Sequence, residues 1–122
     1  ILEKYWSWTD HNQDLWNAID KDDVLTTAML YWLNGRILSS SRIYYETKQM
    51  LPKDWTAGQV TVPTGYSRFP MDFLSPPTTL ANPDLTAKLE YYQEMPKGGH
   101  FPALEEPELW AKEVVSFFSM LK

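Results

Sequence analysis

The rhythm of hydrophobic and polar positions changes partway along the chain. Up to about residue 51 apolar residues recur at helical spacing; from about residue 52 onward, short β-branched or aromatic runs alternate with Pro- and Gly-rich stretches and one closing amphipathic segment. The opening residues Ile1 to Trp6 read as helix. Tyr5, Trp6, Trp8 and Trp16 form an aromatic-rich stretch with no resolvable packing pattern. A clear helix is predicted from Asp20, where Asp20, Asp22 and Asp23 supply a cap and first-turn acids. Leu25, Ala28, Met29, Trp32 and Leu33 then fall on one face, and Gly35 takes the position of a helix stop. Ser39, Ser40 and Ser41 can cap a second helix running through Glu46, limited by Pro52.

The second half opens with a strand expected over Gln59 to Val62, bounded by Gly58 and Pro63. A long loop is expected from Pro63 to Asp72, and Pro76-Pro77 blocks regular structure further on. Lys88 to Met95 reads as a second strand that ends in Pro96-Lys97-Gly98-Gly99-His100-Phe101-Pro102. The last helix begins at Pro107, with Glu105, Glu106 and Glu108 around its N-terminus and Trp110, Val114, Phe117, Phe118 and Leu121 as an apolar stripe. Two strands and one amphipathic helix leave a sheet edge and face bare, so more chain is expected to complete the sheet.

Composition narrows the function classes. A hydrophobic fraction of 43% argues for a folded core, and an aromatic fraction of 15%, with six Trp and seven Tyr, suits pockets and interfaces as well as cores. A net charge of −5 and a pI of about 4.9 argue against nucleic acid and against a polybasic membrane contact. With no Cys there is neither a disulfide nor a thiolate metal site, and the expected location is cytoplasmic. No apolar run reaches transmembrane length and no signal-peptide pattern opens the chain. The start at Ile1, inside a helical pattern and without Met, suggests a piece of something longer.

His100 follows a strand in a Gly-Gly-His turn, and in parallel α/β sheets chemistry sits beyond the carboxyl ends of strands. Spacing alone leaves two readings open, a strand-end functional histidine or a surface one. Asp72 occupies the corresponding loop after the preceding strand. It is either a turn residue capping its own backbone or the partner of a histidine on the next strand's loop. His11 and His100 are the only histidines and neither has metal-ligand spacing, so no metal is expected; His11 reads as solvent-facing. Gly98-Gly99 lacks the further glycine of a dinucleotide fingerprint. Tyr44 and Tyr45 point in different directions on a helix, so only one can face a given pocket.

Taken together these segments resemble the α/β-hydrolase-fold epoxide hydrolases, especially the microsomal-like branch, over nearly the whole chain. The strings that carry the resemblance are Asp22 to Trp32, Ser40 to Glu46, Val62-Pro63-Thr64-Gly65 with Phe69-Pro70-Met71-Asp72, and Met95 to Glu108. The fold implied is α/β, the C-terminal part of an α/β-hydrolase: residues 1–51 a helical lid or cap remnant and its return to the core, residues 52–122 the last strands and helices of the core sheet. The resemblance makes His100 the catalytic base, Asp72 the charge-relay acid and Tyr44, two residues after Arg42, one of two lid tyrosines that hydrogen-bond the epoxide oxygen. Phe101 and Trp32 are the substrate-binding candidates, and Tyr5 is a further pocket candidate. No cofactor is implied.

The family's nucleophilic aspartate, in a Gly-Gly-Asp-Trp-type elbow, is not among these residues. Asp54-Trp55 follows Pro52-Lys53 and has no glycine for the strained turn. The chain is therefore expected to be one portion of an epoxide hydrolase, inactive and poorly folded alone. Its expected partners are an apolar epoxide, water and an N-terminal complement carrying the nucleophile, with a homodimer also compatible. A membrane anchor like that of microsomal-like relatives would lie in that complement. Two other readings compete: another α/β-hydrolase, such as an esterase or dehalogenase, and a non-catalytic relative that binds an apolar ligand.

Overall fold

The computed structural model describes residues 1–50, 61–73 and 88–121. The element order is α1 (Leu2–Trp8), a 3-10 turn (Leu15–Asn17), α2 (Lys21–Trp32), a 3-10 turn (Leu33–Gly35), α3 (Ile37–Met50), β1 (Pro63–Arg68), β2 (Lys88–Glu94), α4 (Pro102–Glu105) and α5 (Pro107–Met120). Among the described residues no helix is long and apolar enough to cross a membrane.

The helix starts follow the sequence closely. The Asp20 side chain accepts from the Asp22 amide at 2.7 Å, occupying one of the orphan donors at the start of α2. Asn34 and Gly35 both take positive φ between α2 and α3, the backbone reversal expected at Gly35. The serine run departs from expectation. It lies inside α3, which starts at Ile37, and Ser39 and Ser40 donate to the carbonyls of Arg36 and Ile37 at 2.9 and 2.8 Å. Serine hydroxyls that bond back to the preceding turn are compatible with a helix interior, so the run does not mark a helix start.

The sheet consists of β1 and β2, paired in parallel. β2 matches its expectation. The first strand does not: Gln59 and Val60 lie outside the described residues, Thr61 and Val62 precede the strand, and β1 occupies residues read as loop. Pro63 is tolerable because it is the first strand residue. Gly65 is there for packing: a Cβ at this position would sit 2.8 Å from Cδ2 of Phe117 on α5. The register passes from Thr64–Leu89 to Gly65–Tyr91, leaving Glu90 as a one-residue bulge. Beyond it the period of two sorts the faces. Gly65 and Tyr91 lie towards α5, with Tyr91 and Phe117 ring centroids 6.0 Å apart, while Tyr66 and Tyr92 stack 5.9 Å apart on the other face.

A small core lies among the first helices: Tyr5, Leu15, Ile19 and Val24 are buried, and the Tyr5 hydroxyl hydrogen-bonds Thr27 Oγ1 at 3.0 Å, tying α1 to α2. Leu15, Ile19 and Val24 each contribute roughly 1.5–3 kcal/mol by this burial. Ala18 and Phe101 pack against the same cluster, so residues on both sides of the expected boundary at 51/52 share one core. The stripe of α2 is largely not covered: Leu25, Met29, Trp32 and Leu33 are exposed, and Val24 is the residue of α2 that is buried.

Candidate active site

The loops that leave β1 and β2 are stitched to each other. The Met95 amide donates to the Arg68 carbonyl at 2.8 Å and the Met71 amide to the Gly98 carbonyl at 3.1 Å. Phe69 is buried beneath them, and Gly98, at φ +105°, passes so close that a Cβ there would lie 2.8 Å from the Phe69 ring. That conformation and that approach both call for glycine. These bonds hold the Asp72 and His100 loops side by side at the carboxyl ends of two parallel strands, the place where α/β sheets present chemistry.

There His100 Nδ1 lies 3.0 Å from Asp72 Oδ1, and both side chains are about one-quarter exposed. An ionised carboxylate only accepts, so this bond places the proton on Nδ1 and leaves the Nε2 lone pair available as a base. Three aromatic rings surround the imidazole: Phe73, Trp8 and Phe101, with centroids at 4.6, 5.1 and 5.2 Å. Trp8 and Phe73 also stack on each other at 4.3 Å. The ring is thus fixed by apolar walls and one charged acceptor. Asp72 and His100 line a cleft of about 340 Å³ together with residues of β1, β2 and α5, among them Tyr91, Trp110 and Phe117. Two tyrosines nearby are perturbed. Burial first, and the Asp72 charge second, raise the Tyr66 hydroxyl above its ordinary pKa. The hydrogen bond from the Tyr91 hydroxyl to Glu113 raises the other.

The residues expected at the site from sequence separate into two groups. Asp72 and His100 meet. Phe101 touches the His100 ring but packs equally on Tyr5, at 4.8 Å, and so belongs to the small core as much as to the site. Tyr5 is buried in that core. Trp32 is 80% exposed and lines a separate apolar depression with Ala28, Tyr31 and Ile37. Tyr44, on α3, is 79% exposed and, among the described residues, has no hydrogen bond or ring contact to Asp72 or His100. Asp54 lies outside the described residues. Sequence reading missed Trp8 and Phe73, the two rings stacked beside the imidazole. Trp8 stands in an aromatic-rich stretch, but nothing local indicated that it meets residues more than sixty positions away.

No protein-family model matches the chain. Over 130 aligned residues it is 38% identical to Epoxide hydrolase 1 of Sus scrofa, an alignment that takes in all of this chain and 28% of that protein. Epoxide hydrolase 1 of Oryctolagus cuniculus matches over the same shares at 34% identity. The solved structure of Aspergillus niger epoxide hydrolase superposes with a TM-score of 0.73 at 28% identity, covering all of this chain and 29% of that one. The chain thus spans little more than a quarter of the length of the relatives it matches. It carries the C-terminal part of an α/β-hydrolase fold and, over its whole length, resembles the epoxide hydrolases built on that fold.

Proposed function

We propose that this chain supplies the water-activating half of an epoxide hydrolase, with His100 as base and Asp72 as the acid that orients it. The observation that carries this reading is the 3.0 Å bond between His100 Nδ1 and Asp72 Oδ1 at adjacent strand ends, in a chain similar throughout to epoxide hydrolases. The nucleophile is assigned to an N-terminal complement. There an aspartate carboxylate attacks one epoxide carbon, the carbon–oxygen bond breaks, and a lid tyrosine protonates the released oxygen to leave a hydroxyalkyl ester. His100 Nε2 then takes a proton from water as the water attacks the ester carbonyl. The tetrahedral intermediate collapses, the departing diol oxygen takes that proton back from the imidazolium, and the second water proton, left on the carboxylic acid, passes to the tyrosinate, so that the carboxylate and the lid tyrosine are both restored. Asp72 stabilises the transient imidazolium and holds its tautomer.

Tyr44 is one of the two lid tyrosines of this scheme, an assignment that rests on its place in the Ser40 to Glu46 string. Residues 1–51 are the lid or cap remnant and its return to the core. Their first part also packs behind His100 through Trp8, so they contribute to the site on this reading.

The test uses a chimera in which this chain replaces the segment it matches in Epoxide hydrolase 1 of Sus scrofa. Hydrolysis of styrene oxide to its diol by the chimera, and its loss in His100→Ala, is the expected result. A folded chimera that forms no diol, or one that keeps full activity without His100, overturns the proposal. The isolated chain is expected to be inactive; diol formation by it alone overturns the assignment of the nucleophile to a complement.

A further inference from the structure

We propose that Glu105 and Asp10 are positioning residues that clamp the backbone of the His100 loop and thereby set the imidazole against Asp72. Four consecutive amides of the loop are held from outside it. Gly98 N donates to Asp10 Oδ2 at 2.9 Å, Gly99 N to Glu105 Oε2 at 2.8 Å, His100 N to the Trp8 carbonyl at 2.8 Å and Phe101 N to Glu105 Oε1 at 2.8 Å. Glu105 Oε2 also accepts from the Asp10 amide at 2.8 Å, which joins the two carboxylates into one unit. The loop is therefore anchored on both sides of His100 by a single side chain, and from behind by Trp8 at the end of α1 and Asp10 just after it.

Carboxylates suit this place because they only accept. Glu105 receives three amide donors on two oxygens, and hydrogen bonds to an ionised acceptor are roughly twice as strong as neutral ones. A glutamine of the same shape must turn its NH₂ towards at least one of those N–H groups. The approach is close: a Cβ at Gly99 would lie 2.5 Å from the Trp8 carbonyl oxygen and 3.0 Å from the Asp10 amide nitrogen. With the backbone fixed there, the imidazole has little room to leave Asp72. A simple cap of α4 would need only the Phe101 amide. The further bonds to Gly99 and Asp10 reach beyond the helix, and that extra reach points to a role in the loop.

The role rests on the function proposed above, and the experiment separates the two. In the chimera, Glu105→Gln should slow decay of the alkyl-enzyme ester by roughly tenfold to a hundredfold, the scale expected of a displaced catalytic group. Ester formation should change by less than about twofold, because the nucleophile is not in this loop. Amide hydrogen exchange at Gly99 and Phe101 should accelerate in the same variant. Asp10→Ala, which removes only the partner of Gly98, gives the same pattern more weakly and serves where Glu105→Gln does not fold. Glu108→Gln, at an exposed acidic residue in the first turn of α5, is the control and should leave both steps unchanged. Unaltered ester decay and unaltered exchange in a folded Glu105→Gln chimera overturn the clamp while leaving His100 as base. Equal losses in ester formation and decay would mean a general structural role, and they overturn it too. A parent chimera without activity would count against the function proposed above, and the exchange measurement would still decide the clamp.

Discussion

His100 Nδ1 and Asp72 Oδ1 stand 3.0 Å apart although 28 residues separate them in the chain. What joins them is the parallel pairing of β1 with β2 and the two main-chain bonds just past it, from Met95 to Arg68 and from Met71 to Gly98. The pair is thus a property of the sheet, and removing one partner leaves the backbone that carries the other in place.

Asp72→Asn should accordingly keep the fold and lose activity. An amide can present its NH₂ to the ring and favour the tautomer with the proton on Nε2, where a base needs a lone pair. The expected loss in kcat of the chimera is roughly 10²–10⁴-fold, with the melting curve little changed. Activity within about threefold of the parent would show that Asp72 does not orient the base.

Gly65 should resist substitution for a reason of packing. A Cβ there meets the Phe117 ring at 2.8 Å. Overpacking of this kind costs about 1–3 kcal/mol, so Gly65→Ala should lower the urea midpoint by a corresponding amount. Adding Phe117→Leu should recover part of the loss, because the two sites share one contact. Strict additivity of the two effects would show that α5 does not seat on this glycine.

That contact also explains where sequence reading succeeded and failed. The start of α2 at Asp20, the strand from Lys88 and the helix from Pro107 were legible because caps, β-branched or aromatic runs and helical spacing are local signals. β1 was not. Pro63 and Gly65 read as turn residues, yet one opens the strand and the other makes room for a ring on α5. The serines of α3 read as a cap because serine favours helix starts, yet the hydroxyls of Ser39 and Ser40 bond back to the carbonyls of Arg36 and Ile37. Asp72 and His100 could be named as candidates from strand-end placement. Trp8, Asp10 and Glu105 could not, because the Asp10–Glu105 bond spans 95 residues and only the folded chain brings those side chains to the histidine loop.

Two tyrosines should ionise late. The hydroxyls of Tyr66 and Tyr91 are both raised above the ordinary value of 10.0, so folding favours their neutral forms. Their stabilising effect is then fully present below the pKa of the unfolded chain and is lost as pH rises through the folded value. The absorbance rise at 295 nm should extend above the ordinary tyrosine range, and Glu113→Gln should lower the part of it that belongs to Tyr91. A titration curve that Glu113→Gln leaves unchanged would contradict the hydrogen bond as the cause.

Tyr44 and Tyr45 can be separated by a pair of variants. Both are exposed on α3, so removing either hydroxyl should alter stability by no more than about 0.5 kcal/mol. On the proposed scheme Tyr44→Phe slows ester formation in the chimera by roughly 10²-fold or more, and Tyr45→Phe changes it little. Equal defects in the two variants would remove the assignment of Tyr44.

On the proposed scheme His100 activates the water which releases the diol. The most direct test of that role is intact-protein mass spectrometry of the His100→Gln chimera during a single turnover of styrene oxide. The hydroxyalkyl ester should form at nearly the parent rate and then persist, with no diol released. Release of diol at the parent rate, or failure of the folded variant to form the ester at all, would contradict that role.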